Sequence, residues 1–286
     1  MLKFLTLCIS GVMLGCIYGL IALGYGLIYK ASGLMSFVQG DMLTLGAFLG
    51  LPYWLSLLLT MLCAFAFGML LEKGVIRRLL NKKVMPIYVV LATIAISYIL
   101  QNGSQLIWGT WTLNFPSVFK VSTVKLFGLL AVQPEVILCL ILSMVSMVVL
   151  HLFMNKAKLG TAMRTSSMDS MAAESCSINV SLTTGIPWGV SAMLAAMAGI
   201  LIGPMYGVYS SLGANLGNKG FAGAIAGGYG NMYGAIVGGI LLGLLEILVS
   251  GYVSSVYKNL IAYVALLLFL CIKPTGLFNE RAIQDV

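Results

Sequence analysis

Two acidic residues lie inside apolar stretches of the sequence. Asp41 follows Gln39 in a stretch that contains several glycines, and Glu246 lies in the run Leu-Leu-Glu-Ile-Leu. A charge at the centre of a bilayer costs about 2.5 to 3.5 kcal/mol on insertion scales, so such residues are functional candidates. With Gln39, Asn218 and Lys219 they are candidates for lining a polar path across a membrane. Alternatively, Asp41 caps a helix near the interface, Glu246 is a hydrogen-bonded strut, and Lys219 extends to the interface.

Residue types that support enzyme or metal chemistry are scarce. His151 is the one histidine, and the six cysteines form no C-x-x-C pair. No phosphate-binding G-x-x-x-x-G-K-[ST] loop occurs in any register. We therefore expect no catalytic site, no metal site and no cofactor bound by this chain. Any energy from ATP must come from another protein.

The composition is that of a membrane protein. Of 286 residues, 60% are hydrophobic and only 8% are charged, and the mean hydropathy is +1.03. Soluble domains carry about 25% charged residues. The net charge of +8 fits the excess of Lys and Arg in cytoplasmic loops better than nucleic-acid binding. We predict an all-α protein that crosses the membrane several times.

Apolar runs divide the chain into spans, because crossing about 30 Å of hydrocarbon takes roughly 20 apolar residues. We predict about eight segments, with short broken or re-entrant helices among them, in one transmembrane domain over residues 1–286. The predicted spans are 4–29, 34–50, 52–71, 85–108, 136–154, 186–209, 233–249 and 256–272. A short broken segment precedes residue 233.

Charge predicts which connections share a side of the membrane. The densest basic cluster lies in the predicted loop 72–83, and a second basic loop spans 155–183. Two predicted crossings separate these loops, so we place both in the cytoplasm and residues 109–134 on the other side. The side of the N-terminus stays open, because it depends on whether the segment 34–50 crosses fully.

Glycines mark close packing and broken helices. Gly11, Gly15 and Gly19 recur every fourth residue, as do Gly230, Gly234 and Gly238. Such a spacing lets two helix backbones approach closely in lipid. The glycine-rich segments 34–50 and 217–234 form a candidate pair of discontinuous helices around a pathway. Alternatively, both are packing elements without a ligand.

A helix is predicted at 161–176 within the second cytoplasmic loop. Met168, Met171, Ala172 and Ser175 fall at i, i+3, i+4 and i+7, which makes one stripe of apolar and small residues. A helix lying on a membrane surface usually carries several cations, whereas this one has a single Arg164 among its residues. We therefore expect the stripe to bind a partner protein.

Four stretches of the sequence resemble bacterial branched-chain amino-acid (Liv-type) ABC transporter permeases, specifically the smaller permease subunit. Residues 20–50 (LIALGYGLIYKASGLMSFVQGDMLTLGAFLG) resemble its N-terminal signature, and residues 160–179 (GTAMRTSSMDSMAAESCSIN) resemble the loop that docks onto the ATPase. Residues 221–243 (FAGAIAGGYGNMYGAIVGGILLG) resemble its glycine-rich segment, and 273–278 (KPTGLF) its terminal motif.

The resemblance implies a type II-like importer permease in the bacterial inner membrane, without an ATPase site of its own. It also implies a second permease subunit or a homodimer, two cytosolic ATPases that bind ATP and Mg²⁺, and an external substrate-binding protein. The cargo would be branched-chain or other hydrophobic amino acids. The docking residues carried over are Gly160, Ala162, Met163, Arg164, Asp169, Ala172, Ala173, Ser177, Ile178 and Asn179.

One position of the docking motif departs from the family. The family usually has glycine where this chain has Ser177, in a turn suited to positive φ, so the exit of the helix is expected to differ. A bulky charge at Ala173 is expected to abolish uptake while leaving membrane insertion intact. Three other functions stay open: a proton-coupled secondary transporter that uses Asp41 or Glu246, an ABC permease for urea or short amides, and a membrane-embedded scaffold or assembly factor.

Overall fold

The computed structural model describes residues 2–32, 36, 38, 41, 53–82, 84–109, 111–112, 124–126, 130–168 and 170–278. In this part of the chain nearly every element is a helix. The helices are α1 (Leu2–Ser32), α2 (Tyr53–Leu71), α3 (Arg77–Asn81), α4 (Pro86–Trp108), α5 (Pro134–Lys156), α6 (Lys158–Met168), α7 (Ser170–Ser175), α8 (Val180–Tyr206), α9 (Leu212–Gly227), α10 (Met232–Tyr252) and α11 (Lys258–Ile272).

A short antiparallel ribbon is the exception to the predicted all-α class. Strands β1 (Val124–Leu126) and β2 (Leu130–Val132) pair with Lys125 opposite Ala131. Both strands lie in the polar connection between α4 and α5. The ribbon leaves the helical architecture intact, so the predicted all-α membrane fold is confirmed.

Six of the described helices are long and apolar enough to cross a membrane: α1, α2 with its continuation, α4, α5, α8 and α10. The helices α9 and α11 have 16 and 15 residues, which is short for a span of about 20 residues. The glycine-rich region is thus the predicted broken segment followed by a return helix. The predicted span 34–50 lies almost wholly outside the described residues.

The predicted loop at 72–83 is wrong as far as Asn81. Residues Glu72–Ile76 form a π-helical turn, and α3 follows it directly, so α2 continues as one helical rod past the apolar run. The cause is that Lys and Arg are good helix formers whose long stems can lie along apolar surface while their charges reach water. A rise in charge ended the apolar run, but it did not end the helix.

Helix α1 is the centre of the packing. Cys16, Ile17 and Leu20 have no exposed surface, and α1 packs against α8, α9 and α10. A Cβ atom on Gly15 would lie 2.5 Å from Ile240 Cα, and one on Gly243 would meet Gly15 in return. The predicted glycine faces therefore bring α1 and α10 into backbone contact, as expected for helices in lipid.

Several basic residues lie together at one end of the bundle. The C-terminal part of α1 lines a small cavity together with the end of α5 and with α6, through Lys30, Met154 and Arg164. Since α5 ends at Lys156 and α6 begins at Lys158, Lys30 shares this basic end. Positive charge favours the cytoplasm, so we predict that the N-terminal end of α1 lies on the opposite side.

The terminal motif closes the C-terminal end of α9. Leu277 N–H donates to Ala226 O and Phe278 N–H donates to Gly227 O, each at 3.0 Å. Gly228 and Gly276 have positive φ angles of 109° and 76°, and a Cβ on Gly276 would lie 2.6 Å from Gly228 Cα. Glycine is needed at both positions because the backbone is left-handed and the two segments touch.

Candidate functional site

A polar cavity lies between α1, α4 and α9. Its volume is about 260 Å³. Five of its lining side chains carry hydrogen-bonding groups, and the rest are apolar or small. The lining residues are Tyr25, Ile94, Ser97, Tyr98, Gln101, Ala214, Gly217 and Asn218. Of the residues predicted to line a pathway, Asn218 is therefore in this cavity.

Asp41 lies directly behind the wall of this cavity. Its side chain is buried, with 2% of the residue exposed, and its Oδ2 accepts a hydrogen bond from Ser97 Oγ. The other carboxyl oxygen, Oδ1, has no hydrogen-bond partner among the described residues. Asp41 is thus joined to the wall of the cavity through Ser97.

Glu246 and Lys219 lie elsewhere, in a buried cluster between α1, α9 and α10. Lys219 Nζ lies 2.6 Å from Glu246 Oε1, and Tyr18 donates its hydroxyl proton to Glu246 Oε2 at 2.7 Å. Lys258 Nζ is 3.7 Å from Oε1. Both carboxyl oxygens are engaged, so Glu246 has the geometry of the strut considered above. Lys219 does not extend to the interface.

The structure therefore separates the predicted pathway set. Asn218 lines the cavity and Asp41 contacts its wall, Lys219 and Glu246 pair with each other, and Gln39 lies outside the described residues. Ser97 and Gln101 were missed by the sequence analysis. They are spaced i, i+4 on one face of α4, and this polar stripe was the signal that could have found them.

The predicted docking helix consists of two helices, α6 and α7, on either side of residue 169. Asp169 itself lies outside the described residues. We call residues 158–175 the docking segment. Gly160 packs on the end of α5, where a Cβ would lie 2.6 Å from Met154 O. Met163 is 2% exposed, and Ala162 is half-buried.

Arg164 joins the docking segment to α5. Its Nη2 donates to Asn155 Oδ1 at 3.0 Å and also to the main-chain oxygen of Met154. A cation at the last carbonyls of α5 is favourable because they carry the negative end of the helix dipole. Arg164 therefore positions the segment on the bundle, and its guanidinium is already engaged within this chain.

The exit of α7 has the glycine-type backbone despite its serine. Ser177 has φ of 61°. Ser177 N–H donates to Glu174 O, and Ile178 N–H donates to Ala173 O, each at 3.0 Å. These two bonds form a Schellman turn, in which a left-handed residue satisfies the last helix carbonyls. The expectation that this exit differs from the glycine turn is therefore wrong for the backbone.

Asn179 follows this turn as the cap of α8. Its Oδ1 accepts a hydrogen bond from Leu182 N at 3.3 Å, which satisfies one of the free N–H groups of the first helical turn. Ile178, between the turn and the cap, is half-buried. The last three residues of the docking motif therefore connect the docking segment rigidly to α8.

The surface of the docking segment carries the predicted stripe in part. Met168 is 73% exposed, and Ala172 and Ser175 are exposed as well, whereas the Met171 side chain is not described. Ala173 has no exposed surface. A bulky charge at Ala173 would therefore disturb the packing of α7 itself. This geometry does not support the expectation that a bulky charge at Ala173 leaves membrane insertion intact.

The cavity offers hydrogen-bonding groups, and none of its described lining residues is charged. Its polar groups are hydroxyls and amides, with one carboxyl behind them. Within the described ranges, no group of three or more His, Cys, Asp or Glu residues could hold a metal ion.

Comparison with known proteins finds a family whose model matches this chain. The family model described as "Branched-chain amino acid transport system / permease component" matches residues 7–270. The high-affinity branched-chain amino acid transport system permease protein LivH of Salmonella typhimurium is 28% identical over 306 residues, covering 100% of this chain and 98% of the relative. LivH of Escherichia coli K12 has the same identity and coverage. None of the solved structures matches the chain.

Proposed function

This chain belongs to the family of branched-chain amino acid transport permeases, and we propose that it forms part of the membrane passage of a binding-protein-dependent ABC importer. The match over residues 7–270 carries this proposal, because it reaches from the first described span into the last described helix. The proposed cargo is branched-chain or other hydrophobic amino acids, which follows what the names of the relatives say. The proposed location is the bacterial inner membrane.

The cavity between α1, α4 and α9 is proposed as a section of the passage. Ser97, Gln101 and Asn218 offer hydrogen bonds to a zwitterionic solute, while Ile94 and Ala214 offer apolar surface to its side chain. Modest affinity suits a conduit, because a site that holds its cargo too tightly cannot release it. We therefore assign most of the selectivity to the external binding protein.

The partners follow from the same proposal. Two cytosolic ATPases bind and hydrolyse ATP with Mg²⁺, a second permease or a second copy of this chain completes the passage, and the binding protein delivers cargo. The docking segment is proposed as the ATPase contact, since Met168 is 73% exposed at the basic end. The chain itself has no phosphate-binding loop, so the proposal assigns ATP hydrolysis to the two ATPases and transport to this chain.

Two asparagine side chains, whose amides could bind urea or a short amide, instead make hydrogen bonds to the protein backbone. Asn102 donates to Tyr98 O within its own helix at 2.7 Å. Asn231 accepts from Tyr233 N and Gly234 N at the start of α10. Neither lines the cavity, so they add no support for an amide cargo.

Reconstitution tests the proposal. Vesicles containing this chain with its second permease and ATPases should take up radioactive leucine when ATP and the external binding protein are supplied. Vesicles containing the chain alone should show no flux under a pH gradient. Steady flux in the second preparation would support a proton-coupled carrier instead. If urea or acetamide competes with leucine for the external binding protein, the cargo belongs to the class of urea and short amides instead.

The cavity can be tested by two neighbouring substitutions. Gln101→Leu removes a polar group that lines the cavity, and Asn102→Leu makes the same kind of change on the exposed face of α4. We expect slower leucine uptake from Gln101→Leu alone, with equal amounts of assembled complex. Equal uptake rates in the two variants would remove the cavity from the proposed passage.

A further inference from the structure

A polar cluster joins the cytoplasmic continuation of α2 to the first turn of α8. Glu72 is 2% exposed and accepts two hydrogen bonds from Arg77, with Nε at 3.1 Å and Nη2 at 2.7 Å. Arg77 also donates to the side chain and the main-chain oxygen of Ser181. Thr184 Oγ1 donates to Glu72 Oε1 at 3.3 Å. We call these four residues the Arg77 cluster.

The π-helical turn is what makes this pair possible. Arg77 N–H donates to Glu72 O, which is the i→i+5 bond of a π-helix. In an α-helix of 3.6 residues per turn, residues five apart point in different directions. The wider turn brings Glu72 and Arg77 onto one face, toward α8. Single π turns in α-helices occur frequently at functional sites.

The cluster meets α8 close to the docking segment. Ser177 ends α7 in a closed turn, Asn179 caps α8, and Ser181 is two residues further. Gly185 leaves room on the same face, since a Cβ there would lie 3.3 Å from Glu72 Oε2. A displacement of the docking segment therefore reaches the backbone oxygen of Ser181 through a few hydrogen-bonded residues.

On the other side of the cluster, contacts continue toward the cavity. Gly68 and Leu71 of α2 line one small cavity together with Val38. Asp41 N–H donates to Val38 O at 3.1 Å, and Ser97 bonds the Asp41 carboxyl. Ser97 lines the polar cavity. The described residues thus make a continuous series of contacts from α7 to that cavity.

We propose that Arg77 is a positioning residue for transport: it locks α2 to the start of α8, so that movement of the docking segment shifts α2 and the wall of the polar cavity together. This inference rests on the proposed function, because it needs an ATPase bound at the docking segment. Arg77 touches neither cargo nor nucleotide. Its action is mechanical, through Ser181 on α8 and Glu72 on its own helix.

The test compares Arg77→Gln with Arg78→Gln in the complete transporter. Arg78 is exposed one residue further along α3, so its substitution removes the same charge and leaves the cluster intact. Three quantities are measured: the ATPase retained on purification, the ATP hydrolysed with loaded binding protein, and the leucine taken up per ATP. For Arg77→Gln we expect retained ATPase, continued hydrolysis, and a fall of roughly fivefold or more in leucine per ATP, within the usual range of coupling effects.

A purely structural role would give a different result. The amount of assembled complex would fall, and uptake and hydrolysis would fall together at an unchanged ratio, which would overturn the proposal. Arg77→Lys keeps the charge but loses the paired hydrogen bonds to Glu72, so it should insert normally and still uncouple. An unchanged ratio in Arg77→Lys and Arg77→Gln alike would also overturn it. Failure of the proposed function is distinct: the unmodified chain would then bind no ATPase.

Discussion

Lys219 Nζ lies 2.6 Å from Glu246 Oε1, while Asn218, the residue before it, lines the polar cavity. The side chains of these two neighbouring residues of α9 thus lie in two different environments. Successive side chains of an α-helix point about 100° apart, since 3.6 residues make a turn. The position of α9 in the wall of the cavity is therefore set by an ion pair on its other side.

The ion pair is expected to contribute to stability and not to proton transfer. Glu246→Gln leaves Lys219 and Lys258 beside a buried neutral group, and breaking a buried pair typically costs about 3 to 5 kcal/mol. Lys219→Met with Glu246→Leu removes both charges and should recover most of that loss. The free energy of unfolding in detergent measures both variants.

Lys258→Met is the matched control for this pair. Its Nζ lies 3.7 Å from Glu246 Oε1, and its side chain is 32% exposed, so we expect little change in stability. A Glu246→Gln chain as stable as the parent, but inactive in uptake, would contradict the structural role and restore Glu246 as a proton carrier.

Ser177→Gly should stabilise the exit of α7. A non-glycine residue in the left-handed region costs roughly 1 to 2 kcal/mol. Glycine avoids this cost, but it loses more conformational entropy on folding, so the net gain in stability is smaller. We expect a gain of several tenths of a kcal/mol or more, seen as slower hydrogen exchange at the Ile178 amide that closes the turn. Ser175→Gly, inside the same short helix, should have the opposite sign.

The glycine contact between α1 and α10 predicts two opposite results within one helix. Gly15→Ala places a Cβ 2.5 Å from Ile240 Cα and should cost about 1 to 3 kcal/mol by overpacking. Gly26→Ala meets no atom within 4 Å and should be neutral or favourable by up to about 1 kcal/mol, because alanine is the better helix former. Thermal unfolding in detergent distinguishes the two, and equal losses would contradict the packing argument.

The docking segment predicts different outcomes for adjacent alanines. Ala172→Glu places a charge on the exposed stripe, so the chain should fold normally but retain less ATPase on purification. Ala173 has no exposed surface, so Ala173→Glu should lower the amount of folded chain before any partner is involved. The comparison uses the quantity of inserted protein and the ATPase bound per chain. Full ATPase retention by Ala172→Glu would exclude this face as the contact.

Much of the architecture could be predicted from apolar length, because lipid requires every span to satisfy its own backbone hydrogen bonds. The helices at 86–108, 134–156 and 258–272 begin and end within two residues of their predicted limits. The cytoplasmic limit of α2 could not be found this way. Lys73 and Arg77 end the apolar run, whereas the helix continues on hydrogen bonds and on the pair with Glu72.

The site was less predictable, because its residues come together only through packing. Asp41 and Glu246 have similar apolar neighbours along the chain, yet one contacts the cavity wall through Ser97 and the other is bonded to Tyr18 and Lys219. In the sequence, Ser97 is 56 residues from Asp41, and Tyr18 is 228 residues from Glu246. Ser97 and Gln101 carry no charge, so a search for costly ionisable groups passed over them.

The hydrogen bonds from Leu277 and Phe278 to Ala226 O and Gly227 O have a consequence for biogenesis. A ribosome makes these residues after the described helices, so these two carbonyls at the end of α9 gain their partners only after α11 has been made. Unsatisfied backbone groups are costly away from water. A product truncated before Gly276 would hold every described helix and still lack the two hydrogen bonds that close the end of α9.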